Sequence, residues 1–156
     1  MPLKNPLSLS EMILPETTAF DIEVDSWEDA VEISGELLLS AGFVEYRYIQ
    51  AMIDSVKAFG AYIVIAPGVA LPHARPEDGV LVPCMSLVTL KEPLNFGNIA
   101  NDPVKIVFSF GTTDNKTHIE ALKSLARIIG DPKKLNFLKH AISYDSVKKI
   151  IDGKLI

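Results

Sequence analysis

Apolar and polar positions along the chain switch between two periods, and the switches mark out the elements. Ala19 to Val24 alternates Phe20, Ile22 and Val24 with Asp21 and Glu23, the period of two of a half-exposed strand. Ser26 then opens a helix. Its hydroxyl can cap, Asp29 stands at the capping-box position, and Glu28 and Asp29 suit the positive helix end. Trp27, Ala30, Val31, Leu37, Leu38 and Ala41 form its apolar face, and Gly42 is its stop. A second helix is predicted over 45–59, with Tyr48, Ile49, Met52, Ile53 and Val56 at helical spacing and Gly60 after it. The apolar run Tyr62 to Ala66 reads as a buried strand, and Val80 to Leu90 as a central strand with its exit over 91–96. Val104 to Phe110, bounded by Pro103 and Gly111, is the clearest central strand. Thr117-x-x-Glu120 has capping-box spacing. It predicts a helix with His118 in its first turn and Ile119, Leu122, Leu125, Ala126 and Ile129 as the buried stripe. Asp131-Pro132 opens another helix, and a last short one runs from about Ser143 to Gly153. Residues 1–14, with Pro2 and Pro6, read as an irregular lead-in, with 1–10 a loosely ordered arm.

Strands and helices interleave, so the fold class is α/β, a mixed sheet covered by helices. With no repeat or linker, residues 1–156 read as a single domain. Hydrophobic residues at 48% and charged residues at 22% are ordinary globular values. The net charge of −5 argues against a nucleic-acid partner, because no basic field exists to neutralise a phosphate backbone. It leaves room for one phosphate at one local site. Cys84 is the only cysteine and lies in an apolar run, so it reads as core filling, with no disulfide framework or cysteine metal site. No apolar run approaches the roughly 18 residues of a bilayer span, and Met1 to Ser10 lacks the pattern of a secretory signal. A cytoplasmic protein with no direct membrane insertion is expected.

The candidate chemistry centres on Gly68-Val69-Ala70-Leu71-Pro72-His73-Ala74-Arg75-Pro76. Proline cannot extend a sheet ladder, so the segment reads as a strand end running into a stiff loop. His73 between Pro72 and Pro76 is then a preorganised imidazole with the Arg75 guanidinium close by, suited to a nucleophile that takes up phosphate. The alternative for this stretch alone is a surface histidine with no task. His118 follows a central strand at a helix start, where ligand sites of open α/β sheets form. His140, in a lysine-rich helix, reads as a plain surface residue. If the loop and the helix start lie at the same sheet end, two imidazoles face one pocket. Free helix-terminal amides would there favour an anion and keep one ring neutral and nucleophilic. Asp78 and Asp114 are available to a metal, but no tight ligand spacing accompanies them, and no metal or other cofactor is expected. Serine-hydrolase, Walker and dinucleotide motifs are missing, so a phosphoryl group would have to arrive from another protein.

The loop from Gly68 to Arg75 resembles the active-site signature of the EIIA components of the bacterial sugar phosphotransferase system, mannitol/fructose type. Pro93-Leu94-Asn95-Phe96, the strand at 104–110 and the histidine of the following helix agree with it. Ile65-Ala66-Pro67-Gly68 and Ser86-Leu87-Val88-Thr89-Leu90-Lys91 are most similar to the ascorbate-specific branch. The resemblance covers about residues 10 to 152. It implies a sheet of five strands flanked by helices. It also implies a phosphotransferase in which His73 accepts phosphate from phospho-HPr and passes it to a cysteine of EIIB. EIIB then phosphorylates the sugar as the membrane component EIIC imports it. His118 matches the second active-site histidine, stabilising the phosphoryl group, and Arg75 would add charge. Sugar-type members usually carry an arginine on the helix before the loop, whereas Ile53-Asp54-Ser55-Val56-Lys57 has only Lys57. The alternative is a regulatory module of the same family that binds a target protein according to its phosphorylation.

Overall fold

The computed structural model describes residues 8–153. Its sheet is built on the most apolar strands. β5 (Leu87–Leu94) lies antiparallel to β6 (Val104–Val107) at the centre. β1 (Thr18–Ile22) joins β5 in parallel. On the other side β3 (Val69–Ala70) runs parallel to β6, and β2 (Val64–Ala66) closes the edge antiparallel to β3. The order is β1-β5-β6-β3-β2, the five-stranded mixed sheet that the sequence and its resemblance imply.

Alternation along these strands sends side chains to two cores. Ala70, Val88, Leu90, Val104 and Val107 pack beneath α2 (Trp27–Ser40) and α3 (Tyr46–Phe59). Val69, Leu87, Ile106 and Phe108 pack on the other face. That face is covered by α4 (Asn115–Ile129), α5 (Pro132–Lys139) and α6 (Tyr144–Ile151), whose Leu125, Leu135, Leu138, Val147 and Ile150 are buried. Cover on both faces is what apolar central strands require. Among the described residues no helix is long and apolar enough to cross a membrane.

The structure departs from the sequence reading at five points. Residues 8–14 are not an arm. α1 (Leu9–Met12) forms one turn after Ser8, and Leu9, Met12 and Ile13 are buried in the α4–α6 core; residues 1–7 lie outside the described residues. The run Val80–Leu90 is not one strand. Val80 makes an isolated bridge to Val44, and β4 (Cys84–Met85) pairs with β7 (Phe110–Gly111) in a separate two-stranded sheet. The expected strand at 104–110 divides in the same way, with Ser86 N–H donating to the Ser109 carbonyl where both segments change sheet. Apolar periodicity reports burial, not the ladder partner, so a change of sheet leaves no trace in it. Tyr62–Ala66 is likewise not a buried strand throughout: Tyr62 and Ile65 are exposed. Finally, α4 starts at Asn115. Asp114 is the N-cap, accepting from Thr117 N–H at 2.7 Å and Thr117 Oγ1 at 3.0 Å, so Thr117 is not the cap.

Candidate active site

The site begins at Gly68, which turns the β2–β3 hairpin. Its φ is +77°, a conformation that side-chain-bearing residues rarely adopt, and an added Cβ would meet Lys139 Nζ at 2.7 Å. Its carbonyl accepts from Lys105 and Ile106, which sets β3 beside β6. The pairing continues as the chain leaves both strands: Phe108 N–H donates to Ala70, Phe110 N–H donates to Pro72 at 3.0 Å, and His73 bridges Phe110 in parallel register. Because β3 and β6 are parallel, both segments emerge at the same end of the sheet. The His73 and His118 rings are therefore brought together, with centroids 6.3 Å apart at 61°.

His73 is half-buried, and its Nδ1 lies 2.8 Å from the Leu71 carbonyl. A carbonyl only accepts, so Nδ1 carries the proton and the neutral ring holds its lone pair on Nε2. Tyr62 stands edge-on to this ring at 5.8 Å, held through its hydroxyl to Ser55. The His118 ring stacks on Phe110 at 5.0 Å and 17°, with Nδ1 3.3 Å from Thr112 Oγ1. A threonine hydroxyl donating to that nitrogen leaves Nε2–H as the outward donor of a neutral ring.

Burial, and then the neighbouring His73 charge, lower the His118 pKa from its ordinary value. The expected helix-terminal amides are not the cause. The Asp114 carboxylate takes up Thr117 N–H, and His118 N–H already donates to the Asp114 carbonyl at 3.2 Å. The hydrogen bonds from Thr117 N–H and Thr117 Oγ1 in turn hold the Asp114 carboxyl below the usual carboxylate range. A histidine NMR titration should place His118 below the free imidazole value of about 6.5. His73→Ala should raise it, since the penalty of a neighbouring cation is removed. The sign for the fold follows. With the folded-state pKa depressed, the stabilising contribution of neutral His118 is present above the unfolded value and is lost as pH falls through about 6.5 and below.

Arg75 is exposed, and its guanidinium pairs with Asp78 at 3.2 Å and Glu77 at 3.5 Å. Asp78 also accepts from Arg75 N–H, so the pair braces the turn that follows His73. Lys57 is exposed in the last turn of α3, where a cation complements the helix dipole. His140 is exposed beyond α5, with Nδ1 2.9 Å from the Asn136 carbonyl. Cys84 is buried and its thiol is pushed up to about 12, as suits an inert core residue. A cleft of about 490 Å3, lined by Asp54, Ser55, Ala58, Ala74, Arg75 and Asp78 among others, runs from the His73 loop along α3.

Solved structures define the class: sugar-transport IIA domains with this helix-flanked mixed sheet. The mannitol-specific cryptic phosphotransferase enzyme IIA CmtB from Escherichia coli superposes with a TM-score of 0.83 at 32% identity, over 94% of this chain and 99% of that one. The mannitol enzyme IIA of Escherichia coli, solved in complex with phosphorylated enzyme IIB, gives 0.79 at 27% identity, over 91% and 99%. In sequence, the ascorbate-specific EIIA component of Shigella dysenteriae is 39% identical over 153 residues, 97% of this chain and 96% of that protein. The chain belongs to the EIIA 2 family of the phosphoenolpyruvate-dependent sugar phosphotransferase system, whose model matches residues 11–154. It is a phosphotransferase component, a phosphoryl carrier in sugar uptake.

Proposed function

We propose that His73 is the phosphoryl acceptor, taking the group from phosphohistidine on HPr and passing it to a cysteine of EIIB. EIIB then serves the membrane component EIIC, in the cytoplasm, for uptake of ascorbate or a related sugar. The observation that carries this reading is the facing pair of imidazoles, one with its Nδ1 engaged and its Nε2 lone pair free. In the first step Nε2 attacks phosphorus, the donor's P–N bond breaks, and the electron pair returns to the donor ring. In the second, an EIIB thiolate attacks phosphorus and the P–Nε2 bond breaks. His118 donates from Nε2–H to a phosphoryl oxygen as charge shifts. Such transfer depends on positioning and charge stabilisation rather than covalent help. Arg75 adds charge at the rim by exchanging Asp78 and Glu77 for the incoming phosphoryl group. The exposed apolar side chains of Tyr62, Ile65 and Ile119 supply a docking rim for two partners in turn.

The test is incubation with HPr, the first enzyme of the system and phosphoenolpyruvate, followed by intact mass and acid treatment. One acid-labile phosphate that EIIB then removes supports the relay. A phosphate retained in the presence of EIIB would favour the regulatory module, and no adduct would overturn both.

A further inference from the structure

Tyr48 lies in the first turn of α3 and is fully buried. Its spacing marks it as one more apolar residue of that helix, but its hydroxyl reaches out of the core to the site. The phenol donates to the Phe110 carbonyl at 2.6 Å and accepts from Ala74 N–H at 3.0 Å. Ala74 follows His73, and Phe110 carries the ring that stacks on His118. In a regular parallel pairing the rung after Phe110 N–H to Pro72 would run directly from Ala74 N–H to the Phe110 carbonyl. Here the phenol oxygen stands between them as a relay. Burial pushes the phenol pKa up, so the group stays a neutral donor across the working pH range.

The geometry points to Tyr48 as a positioning residue that sets the spacing of the two active-site imidazoles by bridging the backbones that carry them. This rests on the reading of His73 as acceptor. Removing the oxygen leaves Ala74 N–H and the Phe110 carbonyl without their shared partner, and the loop closes onto β7 or swings away. In either case His73 shifts against His118. A displacement of about 1 Å at a reacting group costs up to roughly 100-fold in rate. Tyr48 lies beneath the surface, so partner docking is untouched.

The experiment is Tyr48→Phe, which keeps the ring that fills the core. The expected result is a 10- to 100-fold fall in kcat for transfer from phospho-HPr, roughly the cost of such misplacement. KM should be unchanged, and the His73 and His118 ring resonances should be displaced in NMR spectra. Unmoved resonances with parental kcat would overturn the proposal, as would a loss confined to KM. Should the variant not fold, amide exchange in the parent protein decides. Ala74 N–H should be protected like its neighbour Phe110, and exchange at the rate of an open loop would remove the bridge. Persistent phosphorylation of His73→Ala would instead sink the acceptor assignment, while the resonance shifts of Tyr48→Phe would still report on the bridge.

Discussion

His73→Ala is expected to abolish the phosphorylated species, while His140→Ala leaves it intact. The difference follows from where each ring sits. His73 leaves the end of β3 between prolines, with Nδ1 tied to Leu71 and its lone pair on Nε2. His140 is a surface ring capped against its own helix. Intact mass after incubation with the phosphorylating system separates the two. The fold should survive: the lost Nδ1 hydrogen bond contributes about 1 kcal/mol, which for a chain of this size is roughly 2–4 °C in Tm. A His73→Ala protein that still accepts phosphate would show that another residue is the acceptor. One that unfolds would show that the ring is structural.

His118→Ala should still be phosphorylated by HPr but should pass the group to EIIB about 10²–10³-fold more slowly, the scale of a lost donor to developing charge. The argument is geometric. The ring stands 6.3 Å from His73 and is held flat on Phe110, and a Thr112 hydroxyl donating to its Nδ1 leaves the proton on its outer nitrogen. The lowered pKa that burial and His73 impose favours the neutral ring, so it donates without placing a full charge beside His73. Rapid-quench transfer from the phosphorylated protein to EIIB measures the step. An unchanged rate would reduce His118 to a rim residue.

Most of the helices were legible because their apolar faces and stops are local: the α2 stripe with its Ser26 cap, α3 ending at Gly60, and α5 opening at Asp131-Pro132. Sequence spacing could also have supplied the true start of α4, since Asp114 stands at N-cap distance from Thr117; the later Thr117–Glu120 pair offered a competing match. The lead-in carries no such local signal. Leu9, Met12 and Ile13 are too few to show a period, and their burial depends on α4 and α6, which arrive far later in the chain.

The site divides along the same line. Sequence alone singled out His73 as the candidate acceptor, because prolines on both sides, a strand before it and an arginine after it are local facts with local consequences for φ and for ladder pairing. It also determined the family, through motifs that span nearly the whole chain. The tertiary structure decided what those residues face. The parallel pairing of β3 with β6 put His118 beside His73, and the cap at Asp114 engaged the Thr117 amide that helix position alone suggested was free. Ion pairing turned Arg75 toward Asp78. Burial on α3 concealed Tyr48, whose hydroxyl meets Ala74 and Phe110 across gaps of 26 and 62 residues. Such contacts depend on strand order and register, which no periodicity encodes, because a hydrogen-bonding group reads in sequence only as polar or apolar until its partner is in place.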